Sequence, residues 1–342
     1  MSSEREDRIE TLQEIQNRGG NPFKYEFSKE RSISELLEFE GDEEEALPEK
    51  DFSTAGRVSE IRNFGGIAFL DLRGEEAEIQ VVLRKEKHIE LLEEKINTGD
   101  IVGVKGNLIY TDKGEFSIEV SEFQLLTKGV RPIPSDFYGL EDQELKYRER
   151  SLHLISDMEA RQVFKTRSKI ISQVRRFLED KDFMEVETPI IQPVYGGAAA
   201  EPFTTHIEDK DMDAYLRISP ELYLKRLVIG GFERVFEIGK DFRNESIDTT
   251  HNPEFTMMEI YQAYADYEDM MELTEKLYEN VAEQVLGETE VEYQGQKLDF
   301  SAPWKRMTVK EAIKKHGGFD VGELSDEEIK EKMEENEAKL DS

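Results

Sequence analysis

Four residues in two neighbouring segments have types that could do chemistry together: Arg243 in FERVFEIGKDFRNE (232–245), and Phe255, Glu259 and Tyr261 in HNPEFTMMEIYQAY (251–264). A guanidinium forks onto phosphate or carboxylate oxygens, a carboxylate and a phenol can hold an ammonium group, and an aromatic ring can stack on a base. Both segments read as strands, joined by the polar loop SIDTT (246–250). A period of two then predicts Glu237, Asp241 and Arg243 on one face of the first strand, with Phe255, Met257, Glu259 and Tyr261 on one face of the second. On this reading a single basic group sits among several acids, ready for an anion on one side and a cation on the other. Charges on a strand face are more often a solvated surface, and the residue types alone leave both readings open.

The elements that would position this hairpin are also legible. A helix is predicted over about 157–180, with Val163, Arg167, Ile170, Ile171, Val174, Phe177 and Leu178 on one broad face that should pack on a sheet or a partner subunit. It stops at DFMEVETP (182–189), where Pro189 forces an extended backbone. Upstream, FSTAGRVSEI, GIAFLDLR, AEIQVVL, DIVGVKGNLIY and EFSIEVSEFQLL alternate apolar with polar residues, and the helix-like HIELLEEKI precedes the fourth. Asp112-Lys113-Gly114 supplies a hairpin turn between the last two strands. Five short strands with one helix between the third and fourth is the layout of an OB-type barrel, a fold that either binds nucleic acid or serves structure alone. Ile9, Leu12 and Ile15 predict an opening helix that ends at Gly19-Gly20, and the run GDEEEALPEK (41–50) reads as a solvated connector.

With 342 residues, the chain is long enough for two domains with separate cores. Its 77 Asp plus Glu against 45 Lys plus Arg leave a formal net charge of −32, spread along the whole length. Such a surface repels polyanions at low salt, so a nucleic-acid binder of this composition needs local basic or aromatic contacts, or a saline cytoplasm that screens the repulsion. A salt-adapted source and a simple solubility device both fit. No cysteine is present, which excludes disulfides, thiolate zinc sites and Cys nucleophiles and fits a reducing, cytoplasmic setting. The N-terminal MSSEREDRIE lacks the apolar core of a signal peptide, and no stretch has the length of a membrane span.

The string FRNESIDTTHNPEFTMMEIYQAYADY closely resembles the second signature motif of class II lysyl-tRNA synthetases. DFMEVETP resembles their first motif, PVYGGAAAEPF and YLRISPELYLKRLVIGGFERVFEIG match the segments between, and AGRVSEIRNFGGIAFLDLR with AEIQVVL resembles their anticodon-binding barrel. The resemblance implies an α+β protein: an N-terminal helix and acidic connector over 1–50, an OB-fold anticodon-binding domain over 51–128, a linker over 129–150, and over 151–342 a partial class II catalytic domain, an antiparallel sheet with flanking helices.

It also implies residue roles. Arg243 would bind the α-phosphate of ATP and the lysine carboxylate, as the chief catalytic group. Glu245 would recognise the adenine amino group, Phe255 would stack on that ring, and His251 with Asn252 would approach the nucleotide. Glu221 and the backbone of Gly197 would take the α-amino group of lysine, and Glu259 with Tyr261 its side-chain ammonium. In the barrel, Phe69 would stack on an anticodon base, with Arg62 and Gln80 reading base edges and backbone; Phe69 as ordinary barrel core is the competing reading.

The implied activity is lysine–tRNA ligation with ATP, Mg2+, lysine and tRNA(Lys), by a cytoplasmic homodimer that touches no membrane. The family's third motif, a glycine-rich strand and helix with an Asp-Arg pair, has no counterpart in these 342 residues. The Mg2+ ligands and the rest of the ammonium site are therefore expected from outside this sequence, and activity of the chain by itself is not expected. The alternatives are a non-catalytic tRNA-binding module and one half of a split synthetase. Gly66-Ile67 departs from the barrel pattern, which usually has a Lys there.

Overall fold

The computed structural model describes residues 2–41, 47–84, 89, 96–133 and 142–335. The chain divides into two compact units, Met1–Phe164 and Lys165–Ser342.

The first unit opens with α1 (Ser2–Asn17). Ile15 is buried and Ile9 and Leu12 are half-buried, as their spacing predicts. Arg8 lies buried on that side too, where its guanidinium donates to the carbonyls of Thr98 and Gly129, both at 3.0 Å. A short helix, α2 (Ile33–Leu37), starts at a reciprocal cap between Ser32 and Glu35 and buries Ile33 and Leu36 in the barrel core.

Five strands follow: β1 (Asp51–Asn63), β2 (Ala68–Arg73), β3 (Glu78–Leu83), β4 (Ile101–Tyr110) and β5 (Phe116–Thr127), closed into a barrel in the order β1-β2-β3-β5-β4. Closure depends on β1. Its first half pairs with β4 and its second half with β2, with an irregularity between Val58 and Glu60 that lets the strand turn the corner. The parallel pairing of β3 with β5 completes the OB-type topology.

Alternation decides what faces inward. In β2, Ala68, Leu70 and Leu72 are fully buried, whereas Phe69 and Asp71 lie between them on the outside. Phe69 is thus a half-buried outer-face residue, which removes its reading as barrel core. The turn predicted at Asp112-Lys113-Gly114 is closed by the Thr111 amide donating to the Glu115 carbonyl at 3.0 Å. The predicted helix 88–96 and the acidic connector lie mostly outside the described residues, although Ile89 and Ile96 are buried in the core. Lys128 is a buried residue, paired with Asp100 at 2.8 Å.

In the second unit the central sheet has the order β11-β10-β6, formed by β6 (Met184–Glu185), β10 (Arg234–Phe242) and β11 (Glu254–Gln262). A smaller sheet has the order β7-β9-β8, from β7 (Ile191–Gln192), β8 (Thr204–Ile207) and β9 (Met212–Leu216). The predicted helix appears as Met158–Glu179, here α5 after two short helices α3 (Gln143–Arg148) and α4 (Arg150–Ser156) in the first unit. Its C-terminal turns bury Phe177 and Leu178 with Phe236 and, from α7 (Tyr267–Leu286), Leu277; Ile238, Met258 and Ile260 pack against this core. Val163 and Ile170, on the same predicted face, are exposed. Between the two sheets' strands in sequence, α6 (Glu221–Ile229) follows β9.

This packing assigns the two faces of the hairpin. Phe236, Ile238, Met258 and Ile260 face the helices, so the residues that alternate with them face away. Among the described residues no helix is long and apolar enough to cross a membrane.

Candidate active site

The register of β10 and β11 pairs Glu237 with Glu259 and Asp241 with Phe255, and places Met257 opposite Gly239 and Tyr261 opposite Val235. Directly opposed residues share a face, so the predicted acids and aromatics project on the side away from the core helices. Arg243 lies just beyond β10, where its amide donates to the Pro253 carbonyl at 3.0 Å, and its guanidinium stands 5.2 Å from the centre of the Phe255 ring. The Arg243 Nε is buried without a hydrogen-bond acceptor among the described residues.

Arg243 and Phe255 line a cavity of about 240 Å³ together with Glu245, Thr250, His251 and Asn252. All five residues that the resemblance assigned to ATP thus border one space. The loop that carries His251 is held by Asp248, whose carboxylate accepts from the amides of Thr250 (2.7 Å) and His251 (2.8 Å) and lies 2.8 Å from His251 Nδ1. The Thr250 amide, followed by the His251 ring, the Thr250 hydroxyl and the His251 amide, holds the Asp248 carboxyl well below the usual carboxylate range.

Further along the same face three acidic or phenolic groups converge. Ser219 Oγ donates to one oxygen of Glu259 at 2.6 Å and the Tyr261 hydroxyl donates to the other at 3.0 Å. Burial, and then the charge of Glu259 and the hydrogen bond to it, with a smaller effect from Glu221, push the Tyr261 phenol far above its usual value. Glu221 opens α6 and pairs with Lys225 at 2.7 Å, a contact that lowers its carboxyl. Gly197 has φ +91°, and a Cβ there would stand 2.7 Å from the Glu221 Cβ and 2.8 Å from Ser219 Oγ. Only glycine brings backbone this close to the acids.

The expectation of a single basic group among these acids needs correction. Arg217, 1% exposed, lies on the same side, ion-paired with Glu237 and 3.1 Å from Asp241 through Nε. It also donates to the Lys240 carbonyl at 3.0 Å, while Thr188 Oγ1 donates to Glu237 at 2.7 Å. Asp241 is left with neither carboxylate oxygen hydrogen-bonded, and burial, opposed by Arg217 and reinforced by Glu259, raises it to about 6. Arg217, Ser219 and Asp248 were not singled out from the sequence. An Arg between Leu216 and Ile218 in an apolar run was the one available sign of a buried cation.

In the first unit, Arg62, Phe69 and Gln80 line a separate cavity of about 530 Å³ on the outside of the barrel. Arg62 pairs with Asp71 and Glu60, each at 2.9 Å, and Gln80 accepts from Ser117 at 3.0 Å. No three His, Asp or Glu side chains among the described residues converge to hold a metal ion.

One unit is an OB-type barrel, and in the other a sheet face brings Arg243 and the buried Arg217 together with a cluster of acids. Residues 142–341 match the family model for class II tRNA synthetases (D, K and N), and residues 52–126 match that for the OB-fold nucleic acid binding domain. The chain belongs to the class II tRNA synthetases.

It is 48% identical over 326 residues to a lysine–tRNA ligase of Methanoculleus marisnigri, with 94% of this chain and 64% of that protein aligned. Identity to lysine–tRNA ligase 2 of Methanosarcina mazei is 46% over 337 residues, covering 97% of this chain and 65% of that protein. To a lysine–tRNA ligase of Fervidobacterium nodosum it is 44% over 340 residues, covering 98% and 67%. The chain spans about two thirds of the length of these relatives.

Proposed function

We propose that the chain serves lysine–tRNA ligation: ATP and lysine give lysyl-adenylate and pyrophosphate, and the lysyl group then passes to tRNA(Lys). The observation that carries this reading is that Glu259 and Tyr261, with Glu221 of α6 beside them, lie on the same sheet face as the cavity around Arg243 and Phe255. An anion site and an ammonium site on one face suit a substrate that carries a carboxylate near one end and an amine at the other.

In this proposal a lysine carboxylate oxygen attacks the α-phosphorus of ATP, the new P–O bond forms, and the bond to pyrophosphate breaks. Arg243 neutralises the charge that accumulates on the α-phosphate and aligns the attacking carboxylate. Phe255 stacks on adenine, Glu245 accepts from its amino group, and His251 and Asn252 flank the nucleotide. Glu221 and the Gly197 backbone take the α-ammonium. Glu259, fixed by Ser219 and Tyr261, selects the side-chain ammonium, because an uncharged side chain would leave it buried and unpaired. Mg2+, when bound with ATP, would supply further neutralisation of the phosphate charge. In the barrel, Phe69, Arg62 and Gln80 receive the anticodon. We extend the proposal to a cytoplasmic homodimer, for which the exposed Val163 and Ile170 of α5 offer apolar surface.

The test is lysine-dependent exchange of labelled pyrophosphate into ATP by the full-length protein. Arg243→Ala should reduce exchange by about a hundredfold or more. Equal exchange with leucine, ornithine and lysine would overturn the substrate assignment.

A further inference from the structure

The outer cavity of the barrel contains a second aromatic ring. Phe64 sits at the tip of the β1–β2 hairpin, 68% exposed, with its ring centre 6.0 Å from that of Phe69 and the planes at 73°. Its backbone is fixed: the Phe64 amide donates to the Ile67 carbonyl at 2.9 Å, and Asn63 Oδ1 accepts from the Gly65 amide at 3.0 Å. Phe64 and Phe69 thus put two aromatic rings side by side on the outside of the barrel, the first on a hydrogen-bonded turn. Phe69, half-buried, and Phe64, exposed, both line the cavity, and an exposed ring is free to change its side-chain rotamer.

The charges around these rings make phosphate a poor source of affinity. Of the cations that line the cavity, Arg62 is paired with Asp71 and Glu60, and Arg84 is paired with Glu119. Lys113 shares the lining with Asp112 and Glu115. Among the described residues, three cations thus face five carboxylates, in a chain of net charge −32. Release of counterions from the nucleic acid, which drives most of its complexes with proteins, requires unpaired cations. Stacking needs none, and it persists at ionic strengths that abolish phosphate contacts.

We propose that Phe64 and Phe69 form a two-ring clamp for unpaired RNA bases, and that stacking in this clamp, rather than contact with phosphates, gives the barrel its affinity for single-stranded RNA. The inference rests on the tRNA-binding reading above and adds to it both a residue and a source of binding energy.

Binding of fluorescently labelled oligo(U) and oligo(A), each roughly ten nucleotides long, is measured by anisotropy for the full chain at about 0.1 M and about 1 M KCl. Affinity should hold level or rise between the two, since added salt screens the repulsion from the carboxylates. Phe64→Ala should weaken binding at both concentrations by about fivefold to a hundredfold. Phe64→Trp should retain it, and Phe64→Leu, equally apolar but without a π face, should not. A fall in affinity of a hundredfold or more with salt would overturn the proposal, as would equal binding by Phe64→Ala and wild type. Loss in Phe69→Ala with no loss in Phe64→Ala removes the clamp and leaves the tRNA-binding reading intact. Absence of binding by the wild type to either RNA removes both.

Discussion

The guanidinium of Arg217 lies against the backbone of Gly239, in the space that a side chain at that position would occupy. Glu237 and Asp241, the next residues on that face of β10, flank it on either side. A glycine at the middle of a strand normally weakens it. Here its missing side chain admits a buried cation that offsets two buried carboxylates beneath the candidate site.

Gly239→Ala should therefore destabilise the second unit, because the added methyl collides with a group that cannot leave without exposing Glu237 and Asp241 to a buried, unpaired state. Overpacking together with a disturbed buried ion pair should cost about 3 kcal/mol. Urea denaturation reads this directly, and a loss under about 0.5 kcal/mol would show that Arg217 has another place to go.

Asp241 should make stability fall with rising pH. Burial raises its carboxyl from 3.8 to about 6, against the pull of Arg217 and Arg243 and with the push of Glu259 and Glu237. The folded chain then holds this proton more tightly than the unfolded chain does. Its contribution is complete below the unfolded value, declines as pH rises through the window to the folded one, and is gone above it. Asp241→Asn removes the titration. Relative to wild type, the variant should gain up to about 3 kcal/mol between pH 4 and pH 6.5 and change little above that. A stability difference independent of pH would show that the carboxyl titrates normally.

Glu259→Gln should raise the KM for lysine by about a hundredfold or more while leaving the KM for ATP nearly unchanged, since the amide keeps the shape and loses the charge that pairs with an ammonium. Ser219→Ala should follow it more weakly, because Ser219 orients Glu259 at 2.6 Å and touches neither substrate in the proposed arrangement. Steady-state exchange kinetics with both substrates varied separates the two effects. Unchanged lysine KM in Glu259→Gln would remove this residue from the ammonium site.

Asp248→Ala should loosen the loop that carries His251 and raise the KM for ATP, not lysine, by several-fold to about tenfold. Its carboxyl is held below the usual 3.8 by two amides, a hydroxyl and the imidazole. The order it gives the loop is complete at neutral pH and lost only as pH falls through its depressed value. Substitution with Asn, which can still accept from the two amides, should restore part of the affinity. Equal ATP affinity in wild type and Asp248→Ala would mean that the loop orders without this contact.

Much of this protein can be read directly from its residues. Alternation in FSTAGRVSEI, GIAFLDLR and their neighbours located the five barrel strands to within about two residues, because the period of a strand is a local property of the backbone. The same period placed Glu237 with Asp241, and Phe255 with Glu259, within their own strands. What local pattern leaves open is which face of one strand meets which face of the next. The pairing of Glu237 with Glu259 and of Asp241 with Phe255 decided that, and with it the meeting of acids and aromatics on one surface. Tertiary structure also decided between the two readings of Phe69, setting it on the outside of the barrel with Phe64 beside it. Arg217, twenty residues before Glu237, and Ser219, forty before Glu259, met their partners only through chain closure. A residue's type and spacing state what it can bond; only the fold brings a distant partner within about 3 Å.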